Sequence, residues 1–263
     1  MKKTIITLCI LAVLILSCNK KKDGNEVTVK NETIIAEKQF SKADSLVNKA
    51  IEAHGGDLYD KADYSFVFRE KKYRFKNSAS SFEYSSEVQK NDSLIKDVLI
   101  NDTFKRYINN NLQSLNKEEI AKYSEALNSV IYFATLPYKL QDASVNRKFI
   151  EETTIKNKHY DVVGVTFGQE GGGKDFDDEF HYWINKRTHK VDYLAYSYRT
   201  NDGGVRFRTA FNTRVIDGAT FQDYINYEAP IETPLKDLPK LYELGKLKEL
   251  SQILTENVIN NNQ

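Results

Sequence analysis

Beyond residue 18 the 263-residue chain has no cysteine, and the two it carries are Cys9 and Cys18. The rest of the chain therefore has no thiol for a disulfide, a cysteine metal cluster or nucleophilic catalysis. Its stability must come from burying a core, which a chain of this length can supply. A basic excess is missing too: 38 Lys and Arg stand against 37 Asp and Glu, a formal charge of +1. That balance excludes the electrostatic footprint of a nucleic-acid binder. No later segment approaches the roughly eighteen uninterrupted apolar residues of a transmembrane helix. Common catalytic signatures are absent as well. There is no G-x-S-x-G elbow, no H-E-x-x-H and no G-x-G-x-x-G between strand and helix. The familiar hydrolase and dinucleotide chemistries thus lose their markers, and no cofactor or metal is expected.

One motif comes close. Residues 168 to 175 read GQEGGGKD, which places Gly168, Gly173 and Lys174 at P-loop spacing, with Asp175 where a Ser or Thr belongs. A P-loop needs a helix behind it, so that backbone N–H groups point at phosphate. The residues that follow, DFDDEFHYWIN, start acidic and then alternate Phe180, Tyr182, Ile184 against His181, Trp183, Asn185. That is strand patterning. The motif reads as a glycine-rich loop between strands.

The N-terminus carries the most specific signal. MKK is a positive n-region, TIITLCILAVLIL a short apolar core, and Leu16-Ser17-Cys18 its end. This resembles a bacterial lipoprotein signal with the lipobox L-I-L-S-C. The resemblance implies cleavage before Cys18, diacylglycerol on its sulfur and a further acyl chain on its amine. Two or three chains, at about 0.8 kcal/mol per buried methylene, make a lasting membrane anchor. Cys9 falls in the removed segment, and Lys20, Lys21 and Lys22 sit where they would meet anionic headgroups. The expected organisation is a signal peptide over 1–17, a lipidated flexible tether over 18–40 and a single domain over 41–263.

The domain opens with a helical pattern. Ser41 and Asp44 are spaced for a capping-box-like start, Leu46, Val47, Ala50 and Ile51 form one apolar face, and Gly55 is a natural stop, with His54 in the last turn. From Tyr64 to about Asn111 the chain alternates as strands, with breakers at Lys76-Asn77-Ser78 and Lys90-Asn91-Asp92. Asn116-Lys117-Glu118-Glu119 then caps a second helix through Ile120, Tyr123, Leu127, Val130 and Ile131. Its second half, Val130 to Leu140, is apolar nearly all round and must lie against an apolar surface. Strands resume after Asp142, with turns at Asn157-Lys158, Lys186-Arg187-Thr188 and Asn201-Asp202-Gly203-Gly204, and the tail after Pro230 and Pro234 suggests a short helix and a final strand. Sheets with few helices predict an α+β fold.

The stretches IEAHGG, LPYKL and YWINKRTHKVDYLAY resemble an uncharacterised family of Bacteroidota envelope lipoproteins, and the order of elements resembles the lipoprotein-carrier fold of LolA and LolB. The resemblance implies a curved antiparallel sheet, an incomplete β-barrel, with helices covering its concave face. It also implies a place in the cell envelope, at the outer membrane facing the periplasm.

With 16 Tyr, 14 Phe and 1 Trp, many alternating with polar residues, one sheet face could line a cavity for an apolar or lipid ligand. Candidates are Tyr132, Phe133, Leu136 and Tyr138 on the second helix as a lid, with Tyr182 or Trp183 and Tyr196 on the sheet; residue by residue, core packing of helix on sheet is the simpler account, since aromatics are the usual core filler. The acidic run Asp175, Asp177, Asp178, Glu179 beside His181 fails the EF-hand spacing, and strand alternation sends its neighbours to opposite faces. Its simplest role is a solvated loop. The leading expectation is a non-enzymatic, membrane-anchored binder of a hydrophobic or amphiphilic molecule. Alternatives are docking to another envelope protein, through a sheet edge or the acidic loop, and a hydrolase using the acidic cluster.

Overall fold

The structure, a computed structural model, describes residues 40–168, 178–199 and 202–262. The signal, the tether up to residue 39 with Cys18, the loop residues 169–177, with Asp175 and Asp177, and residues 200–201 at the predicted turn lie outside the described residues.

Helix α1 (Lys42–His54) forms where a cap and an apolar stripe coincide. Ser41 Oγ accepts from the Asp44 N–H at 3.1 Å, and the Asp44 carboxylate accepts from the Ser41 N–H at 3.2 Å. That reciprocal box satisfies two N–H groups that the helix leaves unpaired. Ala43, Leu46, Val47, Ala50 and Ile51 are buried on one side. Gly55 ends the helix at φ 143, and a Cβ there would sit 3.2 Å from the Ala219 backbone.

Six strands follow as a meander: β1 (Asp63–Phe68), β2 (Lys71–Ser78), β3 (Ser81–Lys90), β4 (Ser93–Ile100), β5 (Thr103–Ile108) and β6 (Asn111–Leu112). Two turns differ from the sequence reading. Lys76-Asn77-Ser78 is the end of β2, and the turn falls at Ala79-Ser80. Tyr64 to Phe75 reads as one stretch but is a hairpin. Its turn residues, Arg69 and Glu70, have φ of 49 and 65, yet lack the Asn-Gly chemistry that marks such turns in a sequence.

Helix α2 (Lys117–Ala134) begins at Asn116, whose side chain accepts from the Glu119 N–H at 2.9 Å while the Glu119 carboxylate accepts from the Asn116 N–H at 2.9 Å. It stops earlier than its apolar run predicts. Thr135 is the C-cap, its N–H donating to Ile131 O at 3.0 Å, and Pro137 has no N–H to extend the ladder. Residues 138–141 form a 3-10 turn, so Val130 to Leu140 is a helix end followed by a separate turn.

The second half contributes β7 (Val145–Ile155), β8 (Lys158–Phe167), β9 (Glu179–Asn185), β10 (Val191–Tyr198), β11 (Gly204–Ile216) and β12 (Ala219–Ala229). Asp217-Gly218, at φ 47 and 89, makes the turn between β11 and β12. After α3 (Leu238–Glu243) the tail ends in two strands where one was expected, β13 (Lys248–Ile253) and β14 (Glu256–Asn260).

The result is α+β: two antiparallel seven-stranded sheets, ordered β14-β1-β2-β3-β4-β5-β6 and β13-β12-β11-β10-β9-β8-β7. They do not close into a barrel. β13 and β14 are consecutive but pair into different sheets, and β6 and β7 are open edges joined through α2. Helix α1 packs on β7, β8 and β12, and α2 on β2 to β5. The second sheet has a further layer that was not expected: α3 and the segment before it cover its other face, burying Leu235 and Leu238 against Trp183, Tyr193 and Phe207. Among the described residues no helix is long and apolar enough to cross a membrane.

Candidate functional site

A cavity of about 360 Å³ opens where the end of α2 faces both sheets. Phe66 and Phe68 of β1 form one wall, Val130 and Phe133 of α2 a second, and Phe180 of β9 with Tyr196 of β10 a third. The floor lies at the junction of the two sheets, where Tyr224 of β12, Ile253 and Thr255 meet. Thr255 is held by Asp223, whose buried carboxylate accepts from the Thr255 N–H and Oγ1, each at 2.9 Å. Arg214 braces the same corner, with Nη1 3.2 Å from Asp223 and Nη2 donating to Thr255 Oγ1 at 2.7 Å. The volume is at the low end of the roughly 300–1,000 Å³ of ligand pockets, and the walls have their usual mix of apolar surface and a few polar groups.

One polar group stands out. Arg208 of β11 is only 8 % exposed and lines the cavity. Its guanidinium carbon lies 3.9 Å from the Phe133 ring centroid, and Nη2 donates to the Tyr196 hydroxyl at 2.7 Å. Asp178 and Asn226 also line the space, and Arg69 stands at its exposed β1–β2 turn.

Of the seven aromatic and leucine candidates, Phe133 and Tyr196 line the cavity, their ring centroids 5.7 Å apart. Tyr132 turns aside, its hydroxyl 2.8 Å from that of Tyr182. Tyr182 is fully buried, and burial first, then the neighbouring phenol, holds its own phenol well above the ordinary range. Leu136 is buried in the core beneath α1. Tyr138 stacks on Tyr59 with centroids 5.0 Å apart and donates to Asp60 at 3.0 Å. Trp183 is on the opposite face of the sheet, edge-on to Phe207. The alternation that offered Tyr182 or Trp183 for the inner face is resolved in favour of Tyr182, since α1 covers that side.

Other wall residues were not singled out from the sequence. Phe180 had a usable signal, being two residues before Tyr182 on the same face. Arg208 had half of one: in GVRFRTAF the arginines alternate with Val205 and Phe207. Nothing local says that the arginine face is covered by α2.

The acidic stretch divides. Glu179 lies 3.1 Å from His181 Nε2, while Asp178 lines the cavity. His181 neighbours Trp183 on the other face, and burial lowers its pKa while Glu179 pulls the other way. Among the described residues no cluster of three or more His, Cys, Asp or Glu could hold a metal ion. Beyond Gly168 the motif GQEGGGKD lies outside the described residues; the next described element is strand β9, paired antiparallel with β8, where a phosphate cradle would have a helix. His54, in the last turn of α1, is a buried packing residue. Burial, then Lys190, lowers its pKa from 6.5 to about 3, and Nε2 accepts from the Val191 N–H at 3.2 Å.

Among solved structures, the chain is similar to a LolA superfamily protein from Nitrosomonas europaea (10 % identity, TM-score 0.46, covering 85 % of this chain and 96 % of that one). It is also similar to a putative outer membrane lipoprotein-sorting protein domain from Vibrio parahaemolyticus (7 %, 0.46, 83 % and 93 %). A third is a DUF1329 family protein from Desulfovibrio piger (10 %, 0.43, 84 % and 94 %). No curated protein matches the sequence. Residues 32–257, which hold both sheets up to the start of β14, match the family of unknown function DUF6503, and the chain belongs to that family.

Proposed function

We propose that this chain is a non-enzymatic, lipid-anchored protein of the bacterial cell envelope that binds one hydrophobic or amphiphilic molecule in the cavity between α2 and the two sheets. The observation that carries the reading is that cavity: about 360 Å³ with aromatic walls contributed by β1, α2, β9 and β10. Small cavities persist in folded chains, but an apolar space this large beside a helix end is a surface that a ligand would desolvate. The anchor is proposed from the sequence alone, with Cys18 carrying the acyl chains, residues 18–40 as tether and 41–263 as the binding domain, at the outer membrane facing the periplasm. Docking of another envelope protein at the β7 edge has less support, because β7 carries Arg147, Lys148, Glu151 and Glu152, charges of the kind that blunt an edge.

Two measurements test the proposal. Solvent extraction of protein purified from envelopes, followed by mass spectrometry, is expected to release a bound amphiphile in a fixed ratio to protein. An empty cavity in every preparation, and no apolar ligand displacing a solvatochromic dye, would refute binding. For the anchor, Cys18→Ala is expected to move the protein from the membrane to the soluble fraction. Trp183 is a poor reporter in either case, being on the face away from the cavity.

A further inference from the structure

Arg208 poses a problem that its surroundings leave half solved. A guanidinium carries five N–H donors and a permanent charge. Here it is 8 % exposed, bonded through Nη2 to one neutral hydroxyl, with Nε buried and without a hydrogen-bond partner. Among the described residues its one side-chain hydrogen bond is that to the Tyr196 hydroxyl, which carries no charge to match its own. The Phe133 ring face offers partial compensation through its quadrupole. A buried cation needs more than that: it is stable where its remaining donors meet an anion in good geometry. A partly buried arginine elsewhere in this chain shows the difference. Arg106 donates to both oxygens of Asp97, at 2.7 and 2.9 Å.

We propose that Arg208 is the headgroup anchor of the cavity, and that the ligand is a single-chain amphiphile with an oxyanion head, a carboxylate or a phosphate. This rests on the cavity-binding reading above and specifies its ligand. The oxyanion completes the donor set of Arg208, while the chain lies along Phe66, Phe68, Val130 and Ile253. A second unsatisfied atom on the same wall fits a protonated or hydroxylated head: Asn226 Oδ1 is buried and has no donor. The modest volume favours one chain over the two or three of a lipidated cysteine. Tyr196 and Phe133 act as positioning residues, holding the guanidinium plane at the cavity wall.

The test uses the full chain in nanodiscs, with empty discs as the baseline, and titrates dodecanoate, dodecyl phosphate and dodecanol by calorimetry. The anionic pair is expected to bind about 10–100-fold more tightly than the alcohol, the range that hydrogen bonds to a charged group supply. Tighter dodecanoate would point to a free fatty acid, tighter dodecyl phosphate to a phosphate-headed lipid, and either supports the anchor. Arg208→Met is expected to erase the preference while dodecanol still binds. Should the variant fail to fold, the wild-type series decides alone. Dodecanol binding as tightly as both anions in the wild type would overturn the headgroup assignment and leave the cavity reading standing. Binding of none of the three would overturn both.

Discussion

The two faces of the second sheet are built from the same residue types and end differently. On the outer face Trp183, Tyr193 and Phe207 interlock beneath Leu235 and Leu238, with Tyr193 and Phe207 stacked at 5.7 Å. On the inner face Phe180, Tyr196 and Tyr224 are as aromatic, but part of that surface meets the end of α2 and leaves a space. The outer layer is a continuous segment that follows β12 directly and can settle onto the sheet. The inner face is shared among α1, α2 and the other sheet, and three rigid bodies do not fill a common volume as one flexible segment does. Aromatic content therefore marks a surface that will be covered, and says nothing of whether the cover fits.

That contrast can be broken in measurable ways. The largest expected effect is Trp183→Ala, about 3–5 kcal/mol of lost stability in denaturant titration, because a packed face does not collapse into the hole. A loss below about 1 kcal/mol would show that the outer face is not close-packed. Next comes Asp223→Ala, which leaves the buried donors of Thr255 and the half-buried guanidinium of Arg214 without their carboxylate at the corner of the inner face. About 3 kcal/mol is expected, with weakened ligand retention, since breaking one side of a buried polar network strands the other.

The third test is pH. His54, under the inner face, titrates at about 3 in the fold and at the ordinary 6.5 when unfolded. A depressed folded value means that the stabilisation is complete above 6.5 and is lost as pH falls toward 3. Near pH 5 the loss is about 2 kcal/mol, at roughly 1.4 kcal/mol per pH unit. His54→Gln is expected to flatten that part of the profile, and an unchanged slope would place the acid sensitivity elsewhere. The smallest effect is at the cavity itself. Phe133→Ala is expected to cost roughly 1–2 kcal/mol, because a ring beside an existing void has fewer contacts to lose. A loss equal to that of Trp183→Ala would mean the two faces are packed alike.

Much of this fold was legible. Ser41 and Asn116 announce their helices because a capping box is a local, four-residue bargain between side chain and backbone. The strands of the second half appear in the alternation of FHYWIN and VDYLAYSY. Turn chemistry was the weaker guide: Arg69-Glu70 turns because β1 and β2 pair on both sides of it, and pairing is not visible in two residues. The division of the strands into two sheets was hidden for the same reason. β14 joins β1 across most of the chain, as the pairing of Tyr64 with Asn260 shows, and no local pattern encodes such a partner.

By itself the sequence determined the caps, the alternating faces and the lipoprotein-like start, because each depends on residues a few positions apart. Only the tertiary structure decided which aromatic face stays partly open and that Arg208 lies within it, because a void is a property of how separately folded surfaces meet. The energy of that meeting is set by contacts distant in the chain, and these exist only once both sheets and α2 are in place.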